Sequence, residues 1–237
     1  MTTATASTSP RIAGASAGDS LPRAVSVLAV TARPGQESAD LGGLLFAFRR
    51  AGASLSLLCL TRGEASAQNS AAGRLEAVRP WELQLAAAVL GIGEVAVANC
   101  RDGELHRYPA AELTDRIHHA IRQQSADVLL VIAPETGDRG DTAVARAATA
   151  AAARAGIPVV ARTRPGAPGA WMIDLGPDAA TARAIQKSAA AAHTSQSAAL
   201  PALIRRLDLL DGGETLRWLL FPQPVPAPRD RDLLATA

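Results

Sequence analysis

Thr31-Ala32-Arg33-Pro34-Gly35-Gln36-Glu37 follows the apolar run Ala24-Val25-Ser26-Val27-Leu28-Ala29-Val30 and precedes a segment, residues 38–52, rich in apolar and small residues. The apolar run predicts a buried first strand, and residues 38–52 predict a helix. The loop between them then lies at the carboxyl end of the first strand, where open α/β sheets place ligands and chemistry. It carries neither a GxGxxG nor a GxxxxGK(S/T) pattern, so nothing supports a dinucleotide or P-loop site there.

Outward from this stretch, strand and helix signals alternate. Apolar runs predict strands at 54–60, 94–98, 127–132, 157–161, 171–175 and 214–221. Helical patterns cover 75–90, 110–124, 142–155, 179–192 and 200–210, with Leu113, Ile117 and Ile121 spaced four apart on one face. Pro80 interrupts the first of these and calls for a kink or a helix start near Arg79. Gly156 is placed to end the helix before it. Residues 61–73 are polar and small and predict a mobile loop. Near-continuous apolar strands alternating with helices predict an α/β fold, a Rossmann-like, mostly parallel sheet with helices on both faces. One domain over 23–222 is expected, with a flexible arm at 1–22 and a loose tail at 223–237.

Bulk composition narrows the function classes. The chain has 237 residues, 48% of them hydrophobic, enough for a sizeable core. The net charge is only +2, the basic residues are scattered arginines with the single lysine Lys187, and aromatics are 3%. That excludes the clustered basic and stacking surface a nucleic-acid partner needs. Cys59 and Cys100 each end an apolar run and read as buried free thiols. No apolar run approaches the ~20 residues of a membrane span. Residues 1–20 lack a continuous apolar core of a secretory leader, so a cytoplasmic location is expected.

Several short motifs occur in order. They are Ala32-Arg33-Pro34-Gly35-Gln36-Glu37 with Leu41-Gly42-Gly43, Thr61-Arg62-Gly63-Glu64, and Arg79-Pro80-Trp81-Glu82 with Ala87-Ala88-Val89-Leu90-Gly91. Asp102-Gly103-Glu104-Leu105, Asp138-Arg139-Gly140-Asp141-Thr142-Ala143-Val144 and Ala192-His193-Thr194-Ser195-Gln196 follow. Together they resemble the LmbE/PIG-L family of metal-dependent N-deacetylases, whose patterns are A-H-P-D-D-E, T-x-G-E, R-x-x-E with A-x-x-L-G, D-G-x-L, H-P-D-H-x-A-V and A-H-x-S-Q. The resemblance spans residues 24–221 and implies that family's fold.

It also implies a chemistry that this chain has altered. In the family, two His and one Asp hold a divalent metal, usually zinc, and a further Asp is the general base. The metal lowers the pKa of a bound water to roughly 7 and polarises the acetamide carbonyl, while the carboxylate takes the proton. By the resemblance, the first ligand His is replaced by Arg33, the base by Gly35, the ligand Asp by Gln36 and the second ligand His by Asp141. Glu37 is kept. A guanidinium has no lone pair to donate, and one carboxylate with one amide falls short of a zinc site. No cofactor is therefore expected. The remnant-site candidates are Glu37, Asp141 and His193, and the ligand-binding candidates are Arg33, Gln36, Arg79 and Asp102. His118 and His119 are expected on a helix surface away from both loops, and His106 in a loop.

Three functions are compatible with this pattern. One is a noncatalytic relative in which Arg33 pairs with Asp141 or Glu37 and the cleft still takes an amino sugar or a small anionic molecule. Another is an amidohydrolase rebuilt from Glu37, Glu64, Asp102, Asp138, Asp141 and His193. The last is an oligomeric or partner subunit, possible as a homo-oligomer, with Trp81, Trp171 and Trp218 as anchors; the ordinary place for such tryptophans is the core.

Overall fold

The structure, a computed structural model, describes residues 20–67, 74–210 and 212–222. Strand β1 (Ser26–Thr31) leads through the loop to a single helical turn, α1 (Gln36–Ala39), and then to α2 (Gly42–Arg50). β2 (Ser54–Thr61), α3 (Leu75–Leu90), β3 (Glu94–Cys100) and α4 (Ala110–Gln124) follow. β4 (Val128–Ile132), α5 (Arg139–Ala155), β5 (Val159–Arg162), β6 (Ala170–Asp174), α6 (Ala179–Ala191), α7 (Leu200–Asp208) and β7 (Gly213–Leu220) complete the chain.

The seven strands form one sheet in the order β3-β2-β1-β4-β5-β7-β6. The first five are parallel, and β7 runs antiparallel to both β5 and β6. The expected mostly parallel sheet is borne out. Alternation along the strands sends side chains to two cores. Leu28 and Val30 pack with Leu113, Ile117 and Ala148 of α4 and α5, whereas Val27 and Ala29 pack with Leu44, Phe48, Leu83 and Ala189 of α2, α3 and α6. The inner strands β1, β2, β4 and β5 are covered on both faces, which is why their apolar runs are nearly continuous, whereas the edge strands β3 and β6 are partly exposed.

The order also decides where a site can form. From β1 the chain moves outward to β2 and β3, then returns to the other side of β1 as β4. The carboxyl ends of β1 and β4 therefore flank a topological switch point. Arg33 leaves β1 there, and Asp138 stands at the head of α5 after β4.

Two helices differ from the sequence expectations in where they break or begin. The helix expected over 38–52 is two pieces, broken at Asp40 and Leu41. Side chains take the carbonyls that a continuous helix would use: Gln186 Nε2 donates to Ser38 O at 2.8 Å and Arg206 Nη2 to Ala39 O at 2.6 Å. α5 starts at Arg139 rather than Thr142, because the Asp138 carboxylate caps it, accepting from the backbone N–H of Gly140 (2.7 Å) and Asp141 (3.0 Å). α3 spans Leu75–Leu90 as expected, with Pro80 inside it, so the alternative start near Arg79 is not used. The expected loop at 61–73 is described only to residue 67, and the arm and tail expectations fall almost wholly outside the described residues.

Cys59 and Cys100 are buried free thiols, as expected. Burial pushes the Cys59 thiol up to about 12, so it is inert at neutral pH. The tryptophans do not behave as a set. Trp81 is 60% exposed, against the core expectation, while Trp171 and Trp218 stack with centroids 5.6 Å apart. His119 and His106 are exposed, but His118 is half-buried, with Nδ1 3.4 Å from Ala151 O between α4 and α5. Among the described residues no helix is long and apolar enough to cross a membrane.

Candidate functional site

At the switch point lies a cleft of about 400 Å³ whose polar lining includes Arg33, Gln36, Arg79, Asp102, His193 and Gln196. A second cavity of about 510 Å³ adjoins it across Arg33 and Gln36 and reaches Asp138, Asp141 and Arg162. Glu37 lines neither. It is wholly buried behind the loop.

The loop is tied down by its own side chains. Gln36 Oε1 accepts from the backbone N–H of Ala32 (2.9 Å) and Arg33 (3.2 Å), and Gln36 Nε2 donates to Asp141 Oδ1 at 2.7 Å. One amide thus uses its acceptor on the β1 loop and its donor on α5. Gly35 has φ +100°, a left-handed conformation that suits glycine. Its N–H donates to Glu37 Oε2 at 2.7 Å.

Arg33 Nη2 lies 2.9 Å from Asp138 Oδ2, both side chains about one-third exposed. The expected partners, Asp141 or Glu37, are not used. Asp141 is engaged by Gln36, and Glu37 by His193 Nε2 at 2.6 Å and Ser38 Oγ at 2.6 Å. Burial works against both charges of the Arg33–Asp138 pair, yet their hydrogen bond and mutual attraction win. The Arg33 guanidinium is raised and the Asp138 carboxyl lowered from their usual values. Burial likewise pushes the Glu37 carboxyl up, but the His193 contact and the Ser38 hydroxyl outweigh it and hold it below its usual range.

The R-x-x-E and A-H-x-S-Q segments meet here. Arg79 Nη1 and Nη2 donate to Gly63 O (2.5 Å) and Pro34 O (2.6 Å), joining the loops after β1 and β2. One turn along α3, Glu82 accepts from Thr194 Oγ1 (2.8 Å), Ser195 N (2.6 Å) and Ser195 Oγ (2.7 Å). That grip sets the turn that presents His193 and Gln196 to the cleft. Asp102 is half-buried at the cleft wall, accepting from Ala65 N at 3.2 Å and Gly103 N at 3.0 Å. Glu64 sits behind it, Oε1 accepting from Asp102 N at 2.8 Å. His106 faces a different cavity.

Sequence reasoning placed Glu82 in the R-x-x-E motif without a role, and did not single out the group of Asp40, Arg162 and Arg206, in which Asp40 Oδ1 lies 3.1 Å from Arg206 and 3.9 Å from Arg162. A charged residue ending the buried β5 run at the carboxyl edge was the available signal for Arg162.

These residues do not fit a zinc ion. Arg33 offers no lone pair, Gln36 Oε1 is occupied by two backbone donors, and Asp141 is a lone carboxylate held by an amide. Among the described residues no group of three or more His, Cys, Asp or Glu side chains is arranged to hold a metal.

Residues 28–153, just over half of the chain, match the PIG-L family, described as GlcNAc-PI de-N-acetylase. The chain belongs to the PIG-L family. No curated protein matched it. Among solved structures, this PIG-L chain is similar to a conserved protein from Thermus thermophilus (22% identity, 86% of this chain and 98% of that one, TM-score 0.66). It is also similar to the N,N'-diacetylchitobiose deacetylase from Pyrococcus horikoshii (17%, 89% and 89%, 0.65). The same fold is shared with GalB, a 4-carboxy-2-hydroxymuconate hydratase from Pseudomonas putida (16%, 84% and 98%, 0.67). At these identities the likeness is one of fold, and the fold serves more than one reaction.

Proposed function

We propose that this PIG-L chain is a noncatalytic member of its family that keeps the cleft as a binding site for an amino-sugar conjugate. One observation carries the reading. The positions that the resemblance matches to metal ligands hold Arg33, Gln36 and Asp141, and each is engaged in a tie between the β1 loop and the head of α5. The Arg33 guanidinium, a fixed cation, links the two loops through Asp138. The cleft suits a sugar, its lining combining polar groups from Asp102, Gln196 and His193 with the apolar Ala190, Leu200 and Leu203.

Metal analysis of the purified protein, paired with a panel of N-acetylglucosamine conjugates assayed with zinc or manganese added, tests this. No tightly bound metal, no turnover and saturable binding of a conjugate are expected. Near-stoichiometric zinc or measurable deacetylation overturns it. A rebuilt hydrolase is the second reading, favoured by the buried Glu37–His193 pair with His193 on the cleft wall. It requires turnover that disappears in His193→Ala.

A further inference from the structure

A third cavity, of about 290 Å³, lies between α4 and α5 and shares no lining residue with the two cavities beside Arg33. Its floor is apolar, formed by Leu105 and Leu113, which are 2% and 1% exposed, together with the half-buried Tyr108. Its rim is basic, formed by Arg139, Arg146 and His106, and no carboxylate lines it among the described residues. Arg139 and Arg146 are seven residues apart on α5, two turns or about 10 Å along one face. Long side chains at that separation reach over a shared hollow from both ends.

Neighbouring arginines are neutralised. Arg107 pairs with Glu104, Arg116 with Glu112 and Arg154 with Asp115. Arg139 and Arg146 have no ion pair among the described residues. Two uncompensated guanidinium groups above an apolar floor make a site with a charge to satisfy and an apolar surface to cover. The volume sits at the lower edge of small-molecule sites, roughly 300–1,000 Å³.

We propose that this groove binds a small amphiphilic anion, an organic phosphate or carboxylate whose apolar body lies on Leu105, Tyr108 and Leu113 and whose anionic group is held by Arg139 and Arg146. The proposal is independent of the reading of the Arg33 cleft.

Titration of the full chain with phenyl phosphate, benzoate and inorganic phosphate, followed by calorimetry and backbone amide shifts, is the test. Saturable binding of phenyl phosphate or benzoate is expected, with shifts at 105–113 and 139–147, and the tighter of the two identifies the preferred head group. Inorganic phosphate is expected to bind more weakly, having no apolar body. The double variant Arg139→Gln/Arg146→Gln is expected to weaken binding at least ~10-fold, the loss of charge-assisted hydrogen bonds, with an unchanged Tm. Arg164→Gln, an exposed arginine outside this groove, is expected to leave the affinity unaltered. Absence of saturable binding by both organic probes up to ~10 mM overturns the proposal. So do equal affinities for phenyl phosphate and inorganic phosphate, binding that survives the double variant, or shifts confined to the Arg33 cleft.

Discussion

At the scale of single residues, the site is a set of exchanged roles. Asp138 is both the cap of α5 and the partner of Arg33, and the two roles can be separated. Asp138→Ala loses both and is expected to cost about 1–2 kcal/mol in urea denaturation, most of it from the cap. Asp138→Asn keeps a capping oxygen and loses only an ion pair that is one-third exposed, so its cost is expected to stay below about 1 kcal/mol. Equal costs would mean that the pair, not the cap, matters. The Glu37–His193 pair is different because it is buried. His193→Ala strands a carboxylate in the core and is expected to cost about 3–5 kcal/mol. The same carboxyl gives stability a pH dependence. Its folded pKa lies below the ordinary range, so on acidification the unfolded chain takes up the proton first. Its contribution is complete above the usual carboxylate range and is lost as pH falls through the lowered folded value. Glu37→Gln is expected to flatten that acid limb in denaturation series run between about pH 3 and 7. An unchanged limb would place the acid sensitivity elsewhere.

At the scale of elements, the segment from α1 to α2 shows what local pattern leaves out. Residues 38–52 have the composition of one helix, yet Gln186 and Arg206, far along the chain, take the carbonyls at the break. No local signal carries that information. Gly43 makes the same point with a measurable consequence. On propensity alone, alanine inside a helix is better than glycine by about 1 kcal/mol. Here an added Cβ would meet Glu214 Oε1 at 2.0 Å and Arg183 Nη1 at 2.7 Å. Those two groups are a buried ion pair, 2.5 Å apart, that binds α6 to β7. The overlap wins, and Gly43→Ala is expected to destabilise by about 1–3 kcal/mol, a fall in Tm of several degrees by thermal denaturation. A rise in Tm would mean that the pair moves aside without loss. By contrast α4 was legible in full from Leu113, Ile117 and Ile121, although Ser26 Oγ at the start of β1 donates to its last carbonyl, Gln124 O, at 3.1 Å.

At the scale of the whole molecule, the switch point between β1 and β4 gathers Arg33, Gln36 and Asp141 along one cavity. The restoring triple Arg33→His/Gln36→Asp/Asp141→His is expected to bind zinc near-stoichiometrically by metal analysis, with the parent chain as control. Gly35 is left alone because its φ of +100° would strain any other side chain. A folded triple variant without zinc would mean that the two loops no longer face each other at ligand distance.

The sequence by itself determined the layered, mostly parallel sheet and the family. Apolar runs and short motifs are local, and they survive in one dimension. Only the tertiary structure decided that Arg33 takes Asp138 rather than Asp141 or Glu37, that Gln36 uses its amide in both directions, and that Glu82 holds the turn carrying His193. Each of those pairings joins residues about a hundred or more positions apart. Which carboxylate a guanidinium meets depends on what the competing groups have already bound, and that competition exists only once the chain has folded.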